Sequence, residues 1–210
     1  VRGLRRVLHQ APDTLSQTPH FAANVRRLAA HDLTFDLCVR HNQLPIGQTL
    51  VDSCPDVTFV LDHCGAQDIT VGGFSPWREH ITEIARRPNL NAKISGIIAY
   101  AGKEWTLEAI RPYVEHVIDS FGWDRIVWGS DHPVVTLGGS LTDWVGATRE
   151  IMIVSGYQAP SAMLAYQVTQ RVEHLFAGSR IEVAGWLVGE DQAGAVGRRA
   201  HDSHALLFPP

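Results

Sequence analysis

Short apolar runs alternate along the chain with longer stretches in which apolar residues recur every three or four positions. The apolar runs span residues 3–8, 35–39, 57–61, 90–94 and 125–128. Each interval between them has room for one helix and two loops. This alternation is typical of βαβ units, and it predicts five strands in a parallel sheet.

The intervals carry helix signals. Ser75 and Pro76 stand in positions typical of a helix cap and first turn, and Gly122 is a helix stop, while Pro112 must lie near a helix start or kink the helix. The 3.6-residue period predicts helices over residues 20–32, 76–88, 107–122, 141–156 and 161–178. Beyond residue 179 the period is lost, so residues 180–210 are predicted to form an irregular tail with a short strand over 181–188.

Composition narrows the class of protein. With 210 residues, 45% hydrophobic and 19% charged, the chain has the make-up of one globular domain or two small ones, and disorder and coiled coil are excluded. A net charge of -4 with no basic cluster argues against a nucleic-acid partner. The sequence has no apolar run of the roughly 18 residues that a membrane span needs and no signal-peptide core, which predicts a cytoplasmic protein without a membrane partner.

The cysteines predict neither a disulfide framework nor a structural zinc cluster. Cys38, Cys54 and Cys64 are odd in number and form no C-x-x-C pair, so they are interpreted as small core residues. His9 and the other histidines outside the strand-end motifs are interpreted as structural or solvated.

Polar and ionisable residues follow one predicted strand after another, and Arg5 and Lys93 lie inside two strands. Because loops at the carboxyl ends of parallel strands converge, these residues predict an active site at that edge of the sheet. They are Arg40 and His41 after the second strand, Asp62 and His63 after the third, Ser95 after the fourth, and Ser130, Asp131 and His132 after the fifth.

The residues alone leave the chemistry open. A carboxylate here can take a proton from water or bind a metal, and an imidazole can bind a metal or polarise a carbonyl. Structural roles compete with these: Asp131 capping a helix, His63 as a buried structural group, and Asp62 bonded to nearby backbone.

Four segments, in this order, resemble the amidohydrolase-related (β/α)8-barrel hydrolases, and most closely their sugar-lactonase and pyrone-dicarboxylate-lactonase branch. The segments are FDL (35–37), FVLDHCG (59–65), KISG (93–96) and FGWDRIVWGSDHP (121–133). The resemblance runs from residue 1 to about residue 178. It implies an α/β fold forming part of a (β/α)8 barrel, with strands four to eight present and the first three β/α units missing, and a domain of residues 1–179.

The resemblance also implies roles for individual residues. Asp131 matches the aspartate after the eighth strand, which takes a proton from the attacking water, and His63 matches the histidine near the sixth, as a carbonyl polariser. Both are candidate metal ligands for a divalent ion such as zinc, although the branch also includes metal-independent enzymes. Candidate substrate-binding residues are Arg5, Arg40, His41, Lys93 and His132.

The expected function is hydrolysis of a lactone or similar cyclic ester, a small-molecule substrate, by attack of an activated water. Two alternatives stay open. The family's His-x-His pair does not occur in this sequence, so the chain could be a catalytically inactive truncated barrel that self-associates through open strand edges. Related enzymes also decarboxylate, and Arg5 or Lys93 could serve a carboxylated substrate.

Overall fold

A computed structural model of the chain describes residues 2–70 and 73–154. All five predicted strands are present, and they pair in parallel in the order β1-β2-β3-β4-β5. Sequential parallel order without a skipped strand is the order of neighbouring units in a (β/α)8 barrel. The strands are β1 (Gly3–Val7), β2 (Thr34–Cys38), β3 (Phe59–Leu61), β4 (Leu90–Ile94) and β5 (Ile126–Trp128).

In the described residues, six α-helices lie between and after these strands. They are α1 (Pro19–Arg26), α2 (Leu44–Asp52), α3 (Trp77–Ile84), α4 (Ile97–Ala101), α5 (Leu107–Phe121) and α6 (Leu141–Val154). The sequence pattern predicts α1, α3, α5 and α6 but not α2, which contains Pro45 and Gly47, or α4, which is little more than one turn. The predicted helix over 161–178, the strand over 181–188 and the domain boundary after 179 lie outside the described residues.

The two faces of the sheet differ in chemistry. On β2, Phe35 and Leu37 are buried, and the Phe35 ring lies 6.2 Å from the ring of Phe21 on α1. Because successive side chains of a strand point to opposite faces, Asp36 and Cys38 lie on the face away from the helices. The apolar core therefore fills the space between sheet and helices, and the opposite face carries the polar residues.

Helices α3 and α5 are joined by aromatic packing that also anchors the loop after β3. The Trp77 ring, fully buried, lies 5.1 Å from that of Tyr113. Its indole Nε1 donates a hydrogen bond to the carbonyl oxygen of Cys64 at 2.9 Å. A buried indole N–H needs such a partner, so the packing of α3 holds the loop at residues 62–65 in place.

Helix α5 begins and ends as its sequence predicts. Thr106 caps it by accepting a hydrogen bond from the backbone N–H of Ala109, and Gly122 ends it with a φ of 75°. Pro112 lies inside the helix. Of the helices in residues 2–70 and 73–154, none combines the length and apolar character needed to cross a membrane.

Candidate active site

His63 and Asp131 come together at the carboxyl edge of the sheet, from the loops that follow β3 and β5. His63 Nδ1 lies 3.6 Å from Asp131 Oδ1, and both side chains are about nine-tenths buried. Both residues have left-handed backbones, with φ of 55° and 54°. This conformation is uncommon for residues other than glycine and costs about 1–3 kcal/mol, a strain that recurs at functional sites.

The loop after β4 completes this arrangement. Ser95, which is buried, places its Oγ 3.0 Å from His63 Nδ1. Gly96 has a φ of 69°, and a Cβ at this position would lie 2.9 Å from His63 Nδ1 and 3.0 Å from Asp131 Oδ2. Only glycine lets the backbone approach both groups this closely.

Asp131 carries an oxygen that is available for chemistry. Its Oδ2 atom is buried and has no hydrogen-bond partner in the described part of the chain. Burial raises the pKa of Asp131 above its ordinary value, and this effect outweighs the opposing influence of His63. A carboxylate with a raised pKa and a free oxygen is suited to accept a proton from water.

Below this pair, four charged side chains form a network across the polar face of β1, β2 and β4 and the end of β3. Asp62, which is completely buried, accepts a hydrogen bond from Arg5 Nη1 at 3.2 Å and another from Lys93 Nζ at 2.7 Å. Lys93 Nζ also lies 3.1 Å from Asp36 Oδ2. The prediction that Asp62 bonds nearby backbone is therefore wrong: its carboxylate binds cations from two other strands.

The network favours the charged forms of Asp62 and Lys93, whereas burial and the neighbouring Asp62 raise the pKa of Asp36 above its ordinary value. Burial alone would raise the pKa of Asp62, but His63, Lys93 and Arg5 together hold it below its ordinary value. Burial likewise opposes the charge of Lys93, but Asp62 and Asp36 raise its pKa above the ordinary value. Two cations and two carboxylates thus balance one another beneath the His63–Asp131 pair.

The predicted substrate-binding residues fall into two groups. Arg5 and Lys93 are engaged by the protein's own carboxylates. Arg40 and His132 are exposed and His41 is half-buried, in the loops that follow β2 and β5. These three lie where a substrate can reach them without displacing an internal ion pair.

Three further residues near the site are not among the predicted site residues. Cys38, at the end of β2, places its Sγ 3.5 Å from His9 Nδ1, in the turn after β1. Tyr100 on α4 has its ring 6.3 Å from that of His63, and burial raises its pKa to about 12. His9 follows the first predicted strand and Cys38 lies near the end of the second. Their positions at strand ends are therefore the sequence signal that points to both residues.

The donor atoms at this edge fit a divalent ion. The unpartnered Oδ2 of Asp131 lies beside the imidazole of His63, the two predicted ligands. In addition, Cys38, Asp62 and His63 each offer one donor atom, and these atoms lie within 4.8 Å of one another. Imidazole nitrogen, thiolate sulfur and carboxylate oxygen are the ligands that zinc takes in proteins.

This chain is similar to known amidohydrolases and lactonases. The sequence profile of the amidohydrolase family matches residues 1–162. An L-fucono-1,5-lactonase of Burkholderia ambifaria is 35% identical over 144 residues, which cover 68% of this chain and 50% of that protein. An L-fucono-1,5-lactonase of Burkholderia multivorans is 30% identical over 152 residues, covering 67% of this chain and 51% of that protein. The chain thus spans about half the length of these curated relatives.

Solved structures share the fold. A crystal structure of an amidohydrolase from Burkholderia multivorans with bound zinc aligns with a TM-score of 0.72 and 26% identity, covering 79% of this chain and 61% of that one. A putative 2-pyrone-4,6-dicarboxylic acid hydrolase from Pseudomonas putida aligns with a TM-score of 0.60 at 23% identity, over 72% of this chain and 56% of that one, and shows the fold alone. The prediction of part of a (β/α)8 barrel is confirmed.

Proposed function

Because the chain belongs to the amidohydrolase family, we propose that it carries the catalytic edge of a hydrolase that opens a lactone or similar cyclic ester. The observation that carries the proposal is the pairing of His63 with Asp131, whose Oδ2 is buried and free of hydrogen-bond partners among the described residues. Two relatives named as L-fucono-1,5-lactonases support a sugar lactone as the substrate class.

Asp131 acts as the general base in this proposal. Its Oδ2 accepts a proton from water while the water oxygen forms a bond to the lactone carbonyl carbon. The ring C–O bond then breaks, and the proton passes from Asp131 to the leaving ring oxygen, which gives a hydroxy acid. The raised pKa of Asp131 favours the first transfer, because a more basic carboxylate takes a proton from water more readily.

His63 polarises the carbonyl oxygen on which negative charge develops. Ser95 holds the His63 ring through Nδ1, so the imidazole is oriented before substrate arrives. His63 and Asp131 are the predicted ligands of a divalent ion, which when bound supplies Lewis-acid polarisation of the carbonyl. A zinc-containing relative supports such an ion.

The rim residues suit a substrate carboxylate or sugar hydroxyls. Arg40 and His41 are better placed for this than Arg5 and Lys93, because a substrate that took either of the latter would remove one of the two cations that pair with the buried Asp62 carboxylate. His132 contributes to the same rim after β5.

A direct test is product analysis with the protein encoded by the intact gene. L-fucono-1,5-lactone, other sugar lactones and a pyrone dicarboxylate are incubated with enzyme, and acid release and carbon dioxide are measured together. We expect one equivalent of acid per lactone opened and no carbon dioxide. Carbon dioxide release would identify a decarboxylase instead, and no turnover of any cyclic ester would contradict the proposal.

An inactive, self-associating partial barrel is the second candidate, and the sheet edges favour it. Within the described residues β1 and β5 each pair with one strand only, and Val127 of β5 is 36% exposed. Unpaired strand edges are sites of association. Sedimentation of this 210-residue chain tests the candidate, since a stable, unassociated monomer would count against it.

A further inference from the structure

Tyr100 is held at a fixed position near the site, and the mechanism above does not use it. It lies on α4, a short helix that begins directly after Gly96 and is anchored by two fully buried isoleucines. The backbone N–H of Tyr100 donates a hydrogen bond to the Gly96 carbonyl oxygen at 3.3 Å, and its carbonyl oxygen accepts one from the N–H of Ile69 at 3.2 Å. Gly96 is also where the backbone approaches His63 and Asp131, so one loop positions all three side chains.

The Tyr100 ring lies beside the imidazole of His63. The two ring centroids are 6.3 Å apart, and the ring planes are tilted by 51°. The Tyr100 side chain is half-buried, and its hydroxyl makes no hydrogen bond to any residue among 2–70 and 73–154. Tyr113 differs, since it is buried between α3 and α5 with its ring 5.1 Å from that of Trp77. Tyr113 is therefore a packing residue, whereas Tyr100 offers an unpaired hydroxyl at the carboxyl edge of the sheet.

The Tyr100 hydroxyl keeps its proton at neutral pH. Burial raises the pKa of Tyr100 to about 12, and the nearby carboxylates of Asp131 and Asp62 act in the same direction. A protonated phenol is a hydrogen-bond donor, and its natural partner is an oxygen that carries or develops negative charge. Within this site, the substrate oxygen that gains charge during ester cleavage is such a partner.

His63 by itself supplies one donor position for that oxygen. Its Nδ1 is paired with Ser95 Oγ, so only Nε2 is left to bind a substrate carbonyl. Sites that stabilise an oxyanion combine several donors aimed at one oxygen. Because hydrogen bonds to oxygen span about 2.7–3.0 Å, one oxygen can accept from a phenol and an imidazole together when their rings are separated as those of Tyr100 and His63 are.

We propose that Tyr100 is a catalytic residue whose hydroxyl donates a hydrogen bond to the carbonyl oxygen of the cyclic ester, together with His63. As water adds to the carbonyl carbon, the π electrons of the carbonyl move to this oxygen, and both donors stabilise the charge. When the ring C–O bond breaks, the electron pair returns and the carbonyl forms again. Tyr100 neither gains nor loses a proton in these steps. The assignment rests on the proposed function, since it names a donor for that reaction.

Tyr100→Phe removes the hydroxyl and keeps the ring, and Tyr113→Phe is the matched control. Both variants are made in the protein encoded by the intact gene and assayed with L-fucono-1,5-lactone. In Tyr100→Phe we expect kcat to fall by about 10²- to 10³-fold with KM within about threefold of wild type, because the bond is strongest in the transition state. The control should keep wild-type kcat. The urea midpoint of Tyr100→Phe should match wild type, since its hydroxyl has no partner in the described residues.

Binding of two analogues gives a readout that does not need turnover. A cyclic phosphonate analogue of L-fucono-1,5-lactone mimics the tetrahedral intermediate, and the corresponding lactam mimics the bound substrate. By calorimetry, Tyr100→Phe should bind the phosphonate about 10²- to 10³-fold more weakly than wild type and the lactam less than about threefold more weakly. As a measurement without loss of the hydroxyl, 3-fluorotyrosine is placed at position 100, and its ¹⁹F resonance should shift when the phosphonate is added.

The proposal is overturned if Tyr100→Phe keeps wild-type kcat, if only its KM rises, or if the ¹⁹F resonance does not respond to the phosphonate. Comparison with the wild-type protein keeps the two proposals apart. Wild-type lactone turnover that is unchanged in Tyr100→Phe would overturn the role of Tyr100 and leave the hydrolase standing. Phosphonate binding that needs the hydroxyl, in a wild-type protein without turnover, would uphold the Tyr100 contact and count against the hydrolase. Absence of both turnover and phosphonate binding would contradict both.

Discussion

The substitution Asp62→Asn tests whether the buried charge network holds the barrel segment together. Asparagine keeps the volume of the side chain, so no cavity forms, but it removes the negative charge that binds Arg5 and Lys93. Removing one partner of a buried ion pair costs about 3–5 kcal/mol, because the remaining charge is left buried.

Two features of the network reduce this figure. The Arg5 side chain is 34% exposed, so water screens it in part, and Lys93 keeps its second partner, Asp36, at 3.1 Å. We therefore expect a loss of about 3 kcal/mol in the free energy of unfolding, near the lower end of the range. With a urea m-value of about 2 kcal/mol/M, this moves the unfolding midpoint down by about 1.5 M.

The assay is equilibrium unfolding in urea followed by tryptophan fluorescence. The matched control is Asp52→Asn, which removes a carboxylate that also accepts two hydrogen bonds from one arginine, Arg87, but is 49% exposed. The control should lose about 1 kcal/mol or less, as surface ion pairs do. An Asp62→Asn variant no less stable than Asp52→Asn would refute the reasoning.

The remaining predictions concern the site loop, the thiols and a helix cap. Gly96→Ala should abolish lactone turnover and lower the melting temperature, because the added Cβ meets His63 and Asp131. Gly146→Ala is the control: it adds a Cβ in open space on α6 and should stabilise the chain by about 0.5–1 kcal/mol. Ellman's reagent at pH 8 should label none of the three buried cysteines in native metal-free chain and all three in urea; rapid native labelling would contradict their burial. Thr106→Ala should cost about 1 kcal/mol in urea unfolding by removing the cap of α5, and no loss would show that the cap is dispensable.

The five strands and the proximity of His63 and Asp131 could be predicted from the sequence, and the reason is physical. Strand-end loops of a parallel sheet converge whatever their length, so His63 and Asp131 could be placed together from their positions alone. The shared left-handed backbones and the close approach at Gly96 could not, because they depend on three loops packing at once.

Contacts between side chains of neighbouring strands could not be predicted from the sequence pattern either. From its position in the sequence, Lys93 could bind a substrate or pair with Asp62. Its contact with Asp62 depends on the register of β3 and β4. The sequence pattern places His9 outside the strand-end motifs and predicts a structural or solvated role, although the turn after β1 brings it to the thiol of Cys38.

The central claim is that Asp131 is the base of a lactone hydrolase, and kcat of Asp131→Asn with L-fucono-1,5-lactone tests it most directly. The control is Asp143→Asn, which changes an exposed carboxylate that is hydrogen-bonded to Ser140. Both variants are made in the protein encoded by the intact gene. We predict that kcat falls by about 10²- to 10⁴-fold in Asp131→Asn, because an amide cannot accept the proton, and is unchanged in the control. Wild-type turnover by folded Asp131→Asn would contradict the account.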